Sequence, residues 1–111
     1  MNMTFEKHRS IDIVRLVGAL ASNNAPAMNK QLQNLIRGGQ NKIIVDLSGV
    51  DFMDASGLST LVRSCERVRA SGGDLLLLKV RPSIETLLSM TRLDEMFRIF
   101  NDELAAVNTL Q

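Results

Sequence analysis

Tryptophan and tyrosine are absent from this 111-residue chain, and phenylalanine occurs only four times. Its 13 basic and 12 acidic side chains leave a formal net charge of +1. Proteins that bind nucleic acids without sequence preference combine a positively charged surface with aromatic rings on which the bases stack. Because the sequence offers neither feature, it predicts no nucleic-acid partner.

Cysteine and histidine each occur once, as Cys65 and His8. A single cysteine excludes an internal disulfide, and the two residues together are too few for a Cys/His zinc site. His8 lies in a predicted edge strand without a partner at a recognisable spacing, so we interpret it as a surface residue. Cys65 falls on the apolar face of a predicted helix and is interpreted as a core residue. The sequence predicts no metal and no other cofactor.

Long hydrophobic runs are also missing. The run at 75–78 consists of four leucines, whereas a helix that spans a bilayer needs about 20 apolar residues. The first nine residues contain no apolar segment of the kind that follows the charges of a signal peptide. We therefore expect a cytoplasmic protein without membrane insertion, organised as one domain over residues 1–111.

The sequence does contain an alternation of short apolar runs and helical patterns, separated by glycine, proline and polar residues. After an N-terminal β-ribbon, this alternation implies a mainly parallel sheet with helical crossovers. We predict an α/β fold with a mainly parallel five-stranded sheet, an N-terminal antiparallel ribbon and four helices. The predicted strands are 3–8, 11–17, 43–47, 75–80 and 97–100, and the predicted helices are 24–37, 56–70, one that opens at Pro82 and one that follows the cap Asp102.

The spacing within the predicted helices indicates which side chains face the core. In the last helix, Leu104 is expected on the inner side together with two later apolar residues. Three arginines of the second helix lie off its apolar stripe. They form either a solvated face or a contact surface for an acidic partner. These arginines are Arg63, Arg67 and Arg69.

Polar residues that could carry chemistry gather after the third predicted strand, where 45–58 reads VDLSGVDFMDASGL. In parallel sheets, functional groups collect where the strands end and the helices begin. Asp54 or Ser56 could cap the second helix, and this segment is then simply a loop with a cap. A second interpretation is a reversible binding switch, because a phosphoserine at a helix N-terminus brings roughly 1.5–2 negative charges to its positive end.

The segment 42–58 closely resembles the signature of the STAS domain, a family named for sulfate transporters and anti-sigma factor antagonists. The resemblance extends over nearly the whole chain. It includes VRLVGAL at 14–20, SGGDLLL at 71–77 and TRLDEMF at 91–97. The length of the chain is similar to that of the stand-alone bacterial anti-sigma factor antagonists.

This resemblance implies a regulatory protein that switches partners. In the family, the unphosphorylated antagonist binds a serine kinase that doubles as an anti-sigma factor, and so frees the sigma factor. The kinase inactivates the antagonist by phosphorylating a serine, and a metal-dependent PPM-type phosphatase restores it. The matching serine here is Ser56. The resemblance implies a surrounding switch loop that contacts the partner, with the residues Asp51, Asp54, Ala55, Gly57, Leu58 and Ser59.

The sequence departs from the family pattern at two positions. Ala55 stands where some antagonists carry a second serine, which leaves Ser56 as the expected phosphate acceptor ahead of Ser59 and Thr60. Ala21 stands where the family often has aspartate, in a loop that we expect to lie near Ser56.

Two other classes of function compete with this interpretation. An enzyme would use Ser56 as a nucleophile or three aspartates as metal ligands, but the single histidine is too distant in the predicted sheet to serve as the base. We therefore predict that the protein is not an enzyme. The remaining alternative is a STAS adaptor subunit of a transport complex or of another signalling complex. The aspartates in question are Asp46, Asp51 and Asp54.

Overall fold

The computed structural model describes residues 2–111, and its five strands form one sheet in which the strand order follows the chain. The first two strands pair in antiparallel fashion, whereas the other three pairings are parallel. The predicted fold class is therefore confirmed. The elements are β1 Asn2–His8, β2 Ile11–Val17, α1 Ala25–Arg37, β3 Lys42–Gly49, α2 Ala55–Ala70, β4 Asp74–Leu78, α3 Pro82–Met90, a 3-10 helix Leu93–Glu95, β5 Arg98–Phe100 and α4 Glu103–Leu110.

Alternating side chains of the central strands build two apolar cores on opposite faces of the sheet. On β3, Ile43 and Val45 pack with α1, α2 and α3, whereas Ile44 packs with α4. All three side chains are completely buried. A continuous apolar run is typical of a parallel strand that helices cover on both faces. The sheet is therefore the middle of three layers.

Two element boundaries and one additional element bear on the site or on the comparison with the sequence. β4 ends at Leu78 rather than at residue 80, because the φ angle of Lys79 is 54°, in the left-handed region where a strand cannot continue. The helix α2 begins at Ala55, so Ser56 is the second residue of its first turn. The 3-10 helix was not predicted, since three residues are too few to show a periodicity.

The prediction that Leu104 faces the core is wrong. Its side chain is 63% exposed, while Ala106, Val107 and Leu110 of the same helix are buried. At about 100° per residue, Leu104 lies roughly 110° from the centre of this buried face. α4 therefore covers the sheet with its later residues only.

A cluster of charges lies at the edge of the α4 core. Arg15 on β2 sits beside Asp46 on β3 and donates from Nη1 to Asp46 Oδ2 at 2.9 Å and to Glu103 Oε1 at 2.7 Å. It also pairs with Glu6 of β1. Burial opposes the charge of Asp46, but hydrogen bonds from Ser48 and the ion pair with Arg15 outweigh this effect and lower the Asp46 pKa. The cluster ties the first three strands to the last helix.

None of the helices within residues 2–111 is both long enough and apolar enough to cross a bilayer.

Candidate functional site

An aspartate caps α2 at the point where the chain leaves the sheet. Asp54 Oδ1 accepts hydrogen bonds from the backbone N–H of Ser56 at 2.9 Å and of Gly57 at 3.1 Å. Its Oδ2 accepts from the backbone N–H of Ser22 at 3.0 Å. The cap is thus Asp54 and not Ser56. Both carboxylate oxygens bind backbone groups, so Asp54 does not orient the Ser56 hydroxyl.

The same contacts make the stability of the protein dependent on the charge of Asp54. Hydrogen bonds from backbone N–H groups, that of Gly57 first, lower the pKa of Asp54 below its ordinary value. A carboxylate whose pKa is lower in the folded state stabilises the fold above the pKa of the unfolded chain. This stabilisation is lost as the pH falls through the folded-state pKa.

We therefore expect Asp54→Asn to lower the melting temperature at pH 7, because the amide carries no charge and cannot accept all three bonds. The difference from the wild-type protein should shrink as the pH is lowered toward 3, since protonation removes the same charge from wild-type Asp54. Circular dichroism melts between pH 7 and pH 3 measure this effect. Asp51→Asn is the matched control, because Asp51 is exposed and its carboxylate forms no hydrogen bond within residues 2–111. Equal melting temperatures for the two variants at pH 7 would contradict the capping role.

The loop between β2 and α1 lies against the start of α2. The N–H of Leu20 donates to the carbonyl of Phe52 at 3.0 Å, and the N–H of Asp54 donates to the carbonyl of Leu20 at 3.2 Å. A Cβ atom at Gly57 would lie 2.6 Å from the same Leu20 carbonyl oxygen. Only glycine permits this approach. The loop that contains Ala21 is therefore held beside the start of α2, as the sequence predicts.

A groove of about 710 Å³ opens beside Ser56 between α1 and α2. Ser56 is half-buried, and its N–H and carbonyl are used in hydrogen bonds with Asp54 and Thr60. Its hydroxyl forms no hydrogen bond with any other part of residues 2–111. The hydroxyl is therefore available to a molecule that enters the groove. The walls include Ala25, Pro26 and Asn29 from α1 and Ala55, Ser56, Ser59 and Arg63 from α2.

The residues predicted for the switch loop fall into different environments. Ser59 and Ala55 are exposed and line the groove with Ser56. Gly57 is buried against the neighbouring loop, and Leu58 is buried in the core with one edge at the groove. Of these switch-loop residues, Ala55 and Ser59 therefore lie exposed at the groove beside Ser56, whereas Gly57 and Leu58 are buried.

Asp51 is exposed in the loop that precedes the cap, outside the set of residues that line the groove. Its backbone carbonyl accepts a hydrogen bond from Ser83 Oγ at 3.0 Å, which holds the loop against the start of α3. Its carboxylate therefore contributes charge near the start of α2 without being part of the groove.

The aspartates considered as metal ligands do not converge. Asp46 is engaged by Arg15 on the α4 side of the sheet, and Asp54 is engaged by backbone N–H groups. Residues 2–111 contain no group of three or more His, Cys, Asp or Glu side chains that could hold a metal ion. Within the described part of the chain, these aspartates therefore do not form a set of metal ligands.

The structure also separates the three arginines of α2. Arg67 pairs with Gln33 of α1, and Arg69 donates from Nε to Asp74 at 2.9 Å. Arg63 instead lines the groove. Sequence periodicity placed all three off the apolar stripe but could not distinguish them, because their partners lie on other elements.

Sequence reasoning also missed the α1 wall of the groove. Pro26 and Asn29 lie three residues apart and therefore share one face of α1. This spacing is visible in the sequence. Its meaning depends on α2 lying beside it, which the sequence does not indicate.

A three-layer α/β architecture, strands in chain order and an aspartate-capped helix after β3 define the class of this domain. The model of the STAS domain family matches residues 2–106. The chain belongs to the STAS domain family.

Relatives of known description agree with this assignment. The chain is 29% identical over 112 residues to the anti-sigma F factor antagonist of Paenibacillus polymyxa, covering 100% of this chain and 96% of the relative. The crystal structure of a proposed anti-sigma factor antagonist from Thermotoga maritima is 25% identical, with a TM-score of 0.93 and coverage of 97% and 93%. The Bacillus cell fate determinant SpoIIAA in its phosphorylated form shares the fold at 20% identity, with a TM-score of 0.80 and coverage of 99% and 100%.

Proposed function

We propose that this protein is an anti-sigma factor antagonist that switches partners through phosphorylation of Ser56. In its unphosphorylated form it binds a serine kinase that acts as the anti-sigma factor. Phosphorylation by that kinase releases it, and a PPM-type phosphatase restores the binding form. The observation that carries the proposal is the Ser56 hydroxyl, which lies at the first turn of α2 beside an open groove and forms no hydrogen bond within residues 2–111.

The position of Ser56 suits a modification that changes binding without changing the fold. The phosphate would lie at the positive end of the α2 dipole, where negative charge is tolerated. Asp54 continues to hold the helix start through backbone N–H groups, which the modification leaves in place. The added charge therefore acts on the partner rather than on the packing.

The groove supports recognition rather than catalysis by this chain. A serine nucleophile needs an adjacent base, and both oxygens of the nearby Asp54 are engaged by backbone donors. The catalytic base and the metal ions for phosphoryl transfer would come from the kinase, and those for hydrolysis would come from the phosphatase. The protein is on this account a substrate and a ligand.

A capture experiment tests the proposal. Wild-type protein, Ser56→Ala and Ser56→Asp serve as bait in lysate of the native host, and the bound proteins are identified by mass spectrometry. We expect a serine kinase on the wild-type and Ala baits and its loss from the Asp bait. The eluted kinase and Mg-ATP should then place one phosphate on Ser56 of the wild-type protein.

Ser59→Ala is the matched control, because Ser59 lines the same groove one turn further along α2. It should be captured and phosphorylated like the wild-type protein. Phosphate on Ser59 or Thr60, or equal capture by the Ala and Asp baits, would contradict the switch. A transporter ATPase bound equally by all baits would instead indicate the adaptor function.

A further inference from the structure

Among the described residues that line the groove beside Ser56, Arg63 is the only charged one. The other lining side chains are apolar or carry uncharged polar groups. Arg63 is exposed, and it takes part in none of the ion pairs within residues 2–111. Among the described residues, the groove therefore offers a mainly apolar surface with some uncharged polar groups and one positive charge that forms no ion pair.

The neighbouring arginines show that this arrangement is specific to Arg63. Arg67 and Arg69 project from the same helix, and each is engaged by a side chain of another element, Gln33 and Asp74 respectively. Both therefore contribute to contacts within the fold. The guanidinium of Arg63 keeps its donors for an external acceptor.

We propose that the groove binds a segment of the partner protein that presents an acidic side chain to Arg63 and apolar side chains to the groove walls. Charge complementarity carries this choice, because the described residues that line the groove include one cation and no carboxylate. The guanidinium fork fits a carboxylate with two parallel hydrogen bonds. The inference rests on the proposed function, because the segment belongs to the same kinase that binds the protein and phosphorylates Ser56.

This arrangement also explains how a phosphate on Ser56 would release the partner. Ser56, Ser59 and Arg63 are spaced by three and four residues and therefore share one face of α2. A phosphate on Ser56 would place negative charge in the groove that holds the partner's carboxylate. The two anions would repel each other, and the phosphate would also reduce the attraction that Arg63 exerts on the partner.

A titration of the ¹⁵N-labelled protein with two synthetic peptides tests the inference without the kinase. Both are 12-residue helical peptides of leucine and alanine, one with glutamate and the other with lysine at its polar positions. We expect the acidic peptide to shift the amide signals of Ala25, Asn29 and Ser59 and to bind about fivefold more tightly than the basic one. Arg63→Gln should weaken acidic-peptide binding about threefold, and Arg63→Glu should reverse the preference.

Two further variants complete the test. Arg37→Gln removes the same charge from the far end of α1, where Arg37 is exposed and outside the groove, and should leave the preference unchanged. Ser56→Asp should weaken the acidic peptide about threefold, because it adds a negative charge to the groove. An equal effect of the Arg37 and Arg63 variants would overturn the inference, as would shifts confined to other surfaces, preference for the basic peptide or no binding of either.

This outcome is independent of the capture experiment. If Ser56 controls kinase capture but the acidic preference is absent, the inference about Arg63 is wrong while the proposed function stands. If the acidic preference is present but Ser56 variants capture the same proteins, the groove has been assigned correctly and the phosphorylation switch is wrong.

Discussion

Phosphorylation of Ser56 is expected to lower the affinity of this protein for the kinase that we propose as its partner by about 100-fold or more. The modification adds nearly two negative charges to the surface that we propose for the contact with the kinase. We expect this to cost a few kcal/mol, at about 1.4 kcal/mol per tenfold change in affinity. Asp51 and Asp54 lie near the same helix start, and the single charge of Arg63 in the groove is too small to neutralise a phosphate of nearly two charges. Isothermal titration calorimetry with protein phosphorylated to completion measures the change.

The charge dependence of this effect provides its control. Ser56→Asp adds one charge where the phosphate adds nearly two, so its affinity should lie between those of the unphosphorylated and phosphorylated proteins. Ser59→Ala phosphorylated at Ser56 should behave like the phosphorylated wild-type protein. Unchanged affinity after complete phosphorylation, confirmed by intact mass, would refute the switch.

The second large effect is expected on stability, from a single methyl group at Gly57. Its Cβ would lie 2.6 Å from the carbonyl oxygen of Leu20 and 2.9 Å from Cγ of Met53. Because one of these neighbours is backbone, α2 or the β2–α1 loop must move to admit it. We expect Gly57→Ala to lower the free energy of unfolding by about 3 kcal/mol, at the upper end for overpacking.

Urea unfolding monitored by circular dichroism measures the loss. Gly38→Ala adds the same methyl group after α1, where its nearest neighbour would lie 3.4 Å away and the φ angle is −75°. Its free energy of unfolding should stay within about 0.5 kcal/mol of the wild-type value. Comparable stability of the two variants would mean that the loop accommodates the methyl group and that the close approach at Gly57 is not required.

The sequence predicts an element correctly where its apolar pattern is long enough to show the periodicity of a strand or a helix. The strand around Ile44 and the 16-residue helix α2 show clear patterns, and both are found close to the predicted positions. α4 has only eight residues, so its two turns do not distinguish Leu104 from a core position. The left-handed conformation of Lys79 is equally hidden, because lysine carries no sequence signal for it.

The sequence locates the candidate site after β3, but it does not determine which residue caps α2 or which side chains line the groove. Asp54 and Ser56 are both good capping residues, so the local pattern left the cap open. In the structure Asp54 accepts the bonds from the N–H groups of Ser56 and Gly57, and the contact with Ser22 holds its other oxygen. The groove forms where two helices meet that are separated along the chain by β3. The different surroundings of Arg63 and Arg67 depend on such long-range contacts as well.

The order of the strands determines how the sheet can assemble during synthesis. Each strand after the first pairs with the strand that precedes it in the chain. The sheet can therefore grow from its N-terminal edge, and no strand has to insert later between two others. The ion pair between Arg15 and Glu103 forms later than the strand pairing, because Glu103 is synthesised 88 residues after Arg15. Until α4 has been synthesised, the face of the sheet that carries Ile44 and Leu76 is not covered by a helix. A nascent chain stalled before residue 103 would therefore expose an apolar surface of the kind that chaperones and proteases act on.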